Sequence, residues 1–307
     1  MVDYPTYIKL HRSGELKNRI KRAYELLKKC TICPRRCGVN RLKGERGVCK
    51  SGFELVVSSF HCHFGEEPPI SGYRGSGTIF FTHCNLGCVF CQNYPISHLG
   101  NGNRVSQKRL AEMMLALQDK GCHNINLVTP THFVPQILSS LSLAIENGLN
   151  IPLVYNCGGY ERVETLKLLR GIVDIYMPDI KYGGMEEAKK YSSAPDYFKI
   201  AKEAVKEMYR QVGNLRINKE GIAQKGLLVR HLVLPNGLAR SRKVLTFLAK
   251  EISPDVYVSI MSQYFPAYRA REFKELNRRI TPEEYEEVLS VADELGLKRG
   301  WRQEYET

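Results

Sequence analysis

The chain has 307 residues, which is enough for about two domains or for one large domain with an appendage. Hydrophobic residues make up 43% and charged residues 25% of the chain, which excludes a disordered, fibrous or disulfide-only protein. Lys and Arg number 45 against 32 Asp and Glu, so the formal net charge is +13. That balance permits an acidic protein or nucleic acid as a partner but requires neither.

The first thirty residues contain no apolar segment of the secretory type, and a basic amphipathic helix is predicted over residues 16–29. The longest uncharged segment, residues 124–145, contains two prolines, a histidine and three serines. We interpret that segment as strand, loop and helix and not as a membrane span. We therefore expect a cytoplasmic protein.

Four of the ten cysteines lie close together near the start of the chain: Cys30, Cys33, Cys37 and Cys49. Four thiolates saturate a tetrahedral zinc ion or an iron–sulfur cubane, so the group predicts structural zinc, an auxiliary iron–sulfur cluster or a metal-free segment. We assign residues 1–70 to a Cys-rich N-terminal extension and residues 71–307 to a second unit with a C-terminal helix.

Basic residues lie beside this cysteine group, at Arg35, Arg36, Arg41, Lys43 and Arg46. They are interpreted either as a solvated face or as a docking surface for an acidic partner or nucleic acid. The sequence carries no RNA-recognition motif.

Strands and helices alternate from residue 78 onward. The predicted strands are residues 78–82, 124–129, 151–156, 172–177, 227–234 and 256–261. The predicted helices are residues 107–120, a helix ending at 147, 161–170, 195–211, 241–251 and a last helix that opens with Thr281 and Pro282. Ser106 is the predicted N-cap of the first of these helices, and Thr281 with Glu284 forms a predicted capping box at the last.

Six such units predict an α/β fold with parallel strands. A closed eight-stranded barrel needs roughly 250 residues, more than residues 78–261 supply. The expected architecture is a partial (β/α)6 barrel of the TIM type. In such folds, active sites gather at the carboxyl ends of the strands.

Three further cysteines, Cys84, Cys88 and Cys91, lie just past the first predicted strand in the sequence THCNLGCVFCQN. Their spacing, C-x3-C-x2-C, offers three thiolates on one short loop. A [4Fe–4S] cluster normally takes four thiolates, so three would leave one iron open for catalysis. The spacing alone also fits a zinc-binding loop.

This loop, with Phe90 as the aromatic residue before its last cysteine, resembles that of the radical S-adenosylmethionine (radical SAM) superfamily. The resemblance covers residues 70–265. It is closest to the pyruvate formate-lyase activating enzyme-like subgroup and to the related AmmeMemoRadiSam proteins, in the blocks GEEPPISGYRGSGTIFF, NLVTPTHFVP, YNCGGY, MPDIKY and VRHLVLPNG.

The resemblance implies a [4Fe–4S] cluster and SAM as cofactors, and a one-electron donor of the flavodoxin or ferredoxin type. It implies reductive cleavage of SAM to a 5′-deoxyadenosyl radical that abstracts hydrogen, which is anaerobic chemistry. The substrate expected from the subgroup is a glycine in a glycyl-radical enzyme. The alternatives are a small metabolite, a lipid precursor or an RNA nucleotide, and, from another class, a zinc-dependent nucleic-acid-binding protein.

Several residues are expected to hold SAM. The family often has a Gly-Gly-Glu motif after the second strand, whereas this chain has Thr131 and His132 there, so one of these side chains or a backbone carbonyl is expected to replace the usual contact. Phe90 is expected against the adenine, as in the family.

The later strands supply the remaining candidates. Asn156 offers an amide in a region that faces the ribose in the activating enzymes. Alternation along a strand places Asp179 and Lys181 on one face, where they suit the ribose hydroxyls and the methionine carboxylate. Arg230 is expected to point into the barrel towards an anionic partner. Gln263 follows the last strand and is expected to reach the cofactor or the substrate.

Overall fold

The computed structural model describes residues 4–305. The strands are β1 (Leu55–His63), β2 (Ser76–Phe81), β3 (Asn103–Val105), β4 (Ile125–Val128), β5 (Leu153–Cys157), β6 (Ile175–Pro178), β7 (Arg216–Ile217), β8 (Ala223–Leu232), β9 (Tyr257–Met261) and β10 (Gly300–Arg302). The helices are α1 (Tyr7–Arg12), α2 (Glu15–Lys28), α3 (Pro68–Ser71), α4 (Tyr94–Ser97), α5 (Gln107–Asp119), α6 (Val134–Glu146), α7 (Val163–Leu168), α8 (Met185–Ser192), α9 (Tyr197–Val212), α10 (Ser241–Phe247) and α11 (Pro282–Glu294).

Six parallel strands form the centre of the molecule in the order β2-β4-β5-β6-β8-β9. These are the six predicted strands, so the α/β partial barrel is confirmed. The sheet continues as β10 beside β9 and as β1 and β3 beyond β2, and it does not close within residues 4–305.

The start of the fourth predicted strand differs from the observed one. The prediction began at residue 172, but β6 begins at Ile175. The amides of Ile172 and Val173 donate instead to the carbonyl of Leu169, which ends the turn after α7. The apolar run therefore covers a buried turn as well as a strand, and residue type alone does not separate the two.

β1 was missed by the sequence prediction. It lies within the predicted N-terminal extension, yet it pairs antiparallel with β2, with Phe60 opposite Ile79 and His61 opposite Thr78. Its side chains are mostly half-buried, with no clean alternation of buried and exposed positions. The pairing with β2 is thus a tertiary interaction that the local pattern does not encode.

Helix ends follow the capping chemistry predicted for them. The Ser106 hydroxyl accepts from the Arg109 amide at the start of α5. At α11 the Thr281 hydroxyl and the Glu284 carboxylate each satisfy the other residue's backbone amide, which is the predicted capping box. Within residues 4–305, none of the helices combines the length and the apolarity that a membrane span requires.

The connection between β1 and β2 closes the amino-terminal end of the barrel. In this connection α3 carries Ile70 into an apolar cluster with Val154, Ile175 and Leu228, which are interior residues of three strands. The Asn124 side-chain amide donates to the Ile70 carbonyl at 2.8 Å. The barrel interior is therefore sealed at this end, and its other end, where the strands terminate, is open.

Candidate active site

A cavity of about 380 Å³ opens at the carboxyl ends of the strands. Its walls come from the cysteine loop after β2 and from the ends of β4, β5, β6, β8 and β9. Its volume is within the range of small-molecule sites. The cavity is therefore where a partial barrel of this kind is expected to bind its ligands.

Cys84, Cys88 and Cys91 all line this cavity. Each sulfur has a separate polar neighbour. The Leu86 amide donates to Cys84 Sγ at 3.4 Å, the Ser192 hydroxyl lies 2.9 Å from Cys88 Sγ, and the Ser97 hydroxyl lies 3.1 Å from Cys91 Sγ. Hydrogen-bond donors placed on thiolate sulfur stabilise its negative charge and tune an iron–sulfur centre.

Burial raises the pKa of the Cys84 and Cys88 thiols, and Lys181 partly offsets the effect at Cys88. Between residues 4 and 305, no three His, Cys, Asp or Glu side chains lie together in a geometry ready to hold a metal ion. The donor set still fits an iron–sulfur cluster, because three cysteines face one cavity and donor groups lie beside their sulfurs.

The cysteine loop is braced from the N-terminal extension by Arg35. Its guanidinium donates to the carbonyls of Asn85, Ser192 and Ser193 at 2.9, 3.2 and 2.5 Å. Arg41 is fully buried and donates to the Gly52 and His132 carbonyls. These two arginines therefore hold the structure together and do not belong to a free basic docking face, although Arg36, Lys43 and Arg46 are exposed.

Asp179 and Lys181 both line the cavity, as strand alternation predicted. The Lys181 ammonium lies 2.5 Å from an Asp179 carboxylate oxygen. Burial alone would lower the pKa of Lys181, but the Asp179 carboxylate holds it well above its usual value. Lys181 and Arg230 hold the pKa of Asp179 below its usual value in spite of burial, so both members of the pair are charged near neutral pH.

Glycine at position 159 allows β5 and β6 to bring this pair to the cavity. Gly159 has a φ of +74°, and a Cβ atom there would lie 2.1 Å from the Asp179 carbonyl oxygen. The Tyr197 hydroxyl accepts from the Lys181 amide and donates to the Gly158 carbonyl, both at 2.9 Å. The backbone before the pair is fixed by these contacts.

Arg230 points into the barrel, and its anionic partners belong to this chain. Its guanidinium lies 3.1 Å from Glu66, 3.6 Å from Glu67 and 3.3 Å from Asp179, measured to carboxylate oxygens. The expected need for an anionic partner is thus met without a bound ligand. Glu66 lines the cavity, and sequence reasoning did not identify it as a site residue.

Three other predicted residues line the cavity: Phe90, Asn156 and Gln263. Phe90 packs edge-on against the rings of Tyr182 and Tyr264, so its orientation is fixed. The Asn156 amide nitrogen lies 3.5 Å from a Glu66 oxygen. The side chain of Gln263 accepts from that of Gln303 at 3.3 Å, which holds it at the rim.

Thr131 and His132 lie away from the cavity, which does not favour the cofactor contact predicted for their side chains. The Thr131 hydroxyl donates to Glu161 at 2.7 Å, and His132 Nε2 lies 2.8 Å from the Thr82 carbonyl. Burial lowers the pKa of His132 to about 3, so its ring is neutral near pH 7. Thr129 lines the cavity instead, with a φ of 58° that turns the chain before these two residues.

Among the N-terminal cysteines, Cys30, Cys33 and Cys49 are buried and Cys37 is half-buried. Two hydrogen bonds hold this segment in place. The Cys30 amide donates to the Val39 carbonyl at 2.8 Å, and the Val48 amide donates to Cys37 Sγ at 3.3 Å. Burial raises the pKa of Cys33 to about 12, and the nearby Cys49 and Cys30 add to that effect.

The isolated cysteines have different surroundings. Cys157 is buried at the end of β5 and lines the cavity, whereas Cys62 and Cys122 lie outside it, with 2.9 Å between their sulfurs.

The chain is similar to a known protein family and to known proteins. Residues 78–218 match the family described as Radical SAM superfamily. The chain is 35% identical over 289 residues to the uncharacterized protein MJ0674 of Methanocaldococcus jannaschii, covering 91% of this chain and 78% of that protein. It is 26% identical over 183 residues to MJ0808 of the same organism, covering 54% and 53% of the two chains.

Among solved structures, the fold is similar to that of a radical SAM methyltransferase from Sphaerobacter thermophilus, with a TM-score of 0.52. The identity is 13%, and the match covers 74% of this chain and 65% of the methyltransferase, so this likeness shows the fold alone. The three-cysteine loop after the first parallel strand and the family match define the class of protein. The chain belongs to the radical SAM superfamily, whose members use a [4Fe–4S] cluster and SAM.

Proposed function

We propose that Cys84, Cys88 and Cys91 hold the [4Fe–4S] cluster and that the cavity beside them holds SAM. The observation that carries this proposal is that the three cysteines line the same cavity as the Asp179–Lys181 pair. When bound and reduced by one electron from a flavodoxin- or ferredoxin-type donor, the two cofactors supply methionine and a 5′-deoxyadenosyl radical, which takes a hydrogen atom from a substrate.

The residues around the cavity have distinct tasks in this proposal. The Lys181 ammonium faces the methionine carboxylate, and the Asp179 carboxylate accepts from the ribose hydroxyls. Phe90 gives the adenine an apolar surface, while Asn156 and Gln263 offer amides at the floor and at the rim. The buried walls exclude water, which protects a radical from side reactions.

Replacing all three loop cysteines tests the cluster assignment. The Cys84, Cys88, Cys91→Ala variant removes every proposed iron ligand in the cavity. After anaerobic reconstitution it should lose about four irons per chain and all SAM cleavage, measured as 5′-deoxyadenosine formed with dithionite. Cys122→Ala, which removes a buried cysteine outside the cavity, is the matched control. Retained cleavage in the triple variant would contradict the assignment.

The charged pair is tested separately from the cluster. Lys181→Met and Asp179→Asn each remove a charge proposed to face SAM, so each should weaken SAM binding by about tenfold or more while leaving the iron content unchanged. Equilibrium dialysis with labelled SAM measures the change. Lys189→Met, on the exposed face of α8, should bind SAM like the wild type. Unaltered affinity in both site variants would remove the pair from the SAM site.

For the N-terminal group we propose a structural zinc ion held by Cys30, Cys33, Cys37 and Cys49. Support comes from the burial of three of these cysteines in a segment whose one regular element is a short 3₁₀ turn, Arg41–Lys43. A closed four-thiolate site has no open position, so it suits a structural ion. The same segment contains Arg35, so the zinc would stabilise the support of the cysteine loop.

A metal count decides between zinc and an auxiliary cluster. We expect about one zinc and about four irons per wild-type chain, and loss of the zinc in the Cys33, Cys49→Ser double variant. The measurement is elemental analysis with sulfide determination. About eight irons in the wild type, falling to about four in the double variant, would instead identify a second cluster.

The shape of the cavity supports a proposal for the substrate class. We propose that the radical acts on a small molecule, or on a side chain that enters the barrel, because polar groups continue below the proposed SAM site at Glu66 and Arg230. Activation of a glycyl-radical enzyme is the alternative, and it is supported by the subgroup resemblance of the sequence blocks.

An electron paramagnetic resonance experiment separates the two classes. The reduced holoenzyme and SAM are mixed with an unactivated glycyl-radical enzyme. We expect no glycyl radical signal, because the proposed substrate, from which the hydrogen is taken, is one that extends to the floor of the barrel. A cognate activating enzyme serves as the positive control for the same target. A glycyl radical formed in proportion to SAM consumed would establish the activase alternative.

A further inference from the structure

A buried layer of charge forms the floor of the cavity. Glu66 reaches it from the β1–β2 connection and crosses the barrel interior. Its carboxylate accepts from Asn126 of β4 at 2.9 Å and from Arg230 of β8 at 3.1 Å, and it lies 3.5 Å from the amide of Asn156 of β5. Three strands and one connection therefore hold a single carboxylate in place at the bottom of the cavity.

The layer has more negative than positive groups. Below the Asp179–Lys181 pair, Glu66 and Glu67 supply two carboxylates and Arg230 supplies one cation. His63 also lines the cavity, but burial lowers its pKa, so it adds no positive charge near neutral pH. Because an unbalanced buried charge is costly, the layer favours a further cation.

Buried acceptor atoms in the layer point to the same requirement. The side-chain oxygen of Asn126 and one oxygen of Glu67 have no hydrogen-bond partner among the described residues. Asn126 and Glu67 are at most 2% exposed. These acceptors surround Glu66, the carboxylate of the layer that lines the cavity. A ligand that donates hydrogen bonds and carries positive charge suits such a layer, and an alkylammonium group carries three donors and one positive charge.

The walls of the cavity also carry apolar side chains. Leu86, Leu232 and Met261 are among its lining residues. A ligand that fits both regions is an aliphatic chain with a cationic end. We propose that the floor binds the protonated amine of an aliphatic substrate, with Glu66 as the residue that recognises it.

The position of Glu66 assigns this subsite to the substrate and not to SAM. Asn126, which donates to Glu66, precedes the cavity-lining residue Val128 by two positions on β4. The two side chains point to the same face of the strand, and Asn126 lies roughly 7 Å deeper in the barrel. The cysteines that hold the cluster follow the opposite end of β2. This assignment rests on the proposed function, since it places SAM beside the cysteine loop.

The test compares a charged with a neutral probe on the reconstituted holoenzyme containing SAM, without reductant. Ligand-observed NMR titrations measure the dissociation constants of n-pentylammonium and 1-pentanol. We expect the wild type to bind the ammonium at least about tenfold more tightly, because a charge-assisted hydrogen bond is lost with the alcohol. In Glu66→Gln the two constants should become equal within about twofold, with SAM affinity unchanged.

Glu161→Gln is the matched control, because Glu161 is a buried glutamate that does not line the cavity. It should keep the wild-type preference for the ammonium probe. Equal affinity of the two probes for the wild type overturns the proposal, whether or not the variants fold. Weakening of SAM binding by Glu66→Gln as severe as that by Asp179→Asn also overturns it, since the floor would then serve SAM.

Failure of the proposed function gives a different result. Absence of 5′-deoxyadenosine formation on reduction would disprove SAM cleavage, whereas the probe titrations measure binding to the unreduced protein and do not depend on cleavage. A wild-type preference for the ammonium that Glu66→Gln leaves intact would place the amine elsewhere and would also overturn the proposal.

Discussion

The guanidinium of Arg230 organises the interior of this barrel. It lies within ion-pair distance of Glu66 and Glu67 from the β1–β2 connection and of Asp179 from the end of β6. These carboxylates are buried or nearly so, and without the arginine their mutual repulsion and lost hydration would oppose folding. The proposed SAM ligand Asp179 and the proposed substrate ligand Glu66 are thus held by the same cation.

The N-terminal part of the chain contributes more to the site than an appended domain would. β1 extends the sheet beside β2, the connection after it supplies Glu66 and Glu67, and Arg35 ties the cysteine loop to the end of α8. Hydrogen bonds from one rigid guanidinium to three carbonyls fix the loop backbone before any ligand binds. The boundary predicted at residue 70 stays a prediction, but contacts across it help to build the candidate active site.

The cavity divides into two chemical regions. Its upper part has soft sulfur ligands and an Asp–Lys pair, which suit an iron–sulfur cluster and a charged, ribose-containing cofactor. Its lower part has apolar walls above an anionic floor. Because radical chemistry requires the hydrogen donor to lie beside the cofactor, a substrate anchored by its amine at the floor would present its aliphatic carbons to the region between the two parts.

The sequence by itself determined the class of fold and the loop that carries the chemistry. Alternating apolar segments predicted all six parallel strands, and three cysteines at a fixed spacing after the first strand indicated the superfamily, because both are local patterns. Alternation also placed Asp179 and Lys181 on one face.

Tertiary structure alone decided the rest. β1, with its irregular burial, becomes a strand only by pairing with β2. Thr131 and His132 leave the cavity because Glu161 and the Thr82 carbonyl bind them. Glu66 enters it because Asn126 and Arg230, distant in sequence, meet it inside the barrel. Each of these outcomes depends on a partner far along the chain, which a local pattern cannot specify.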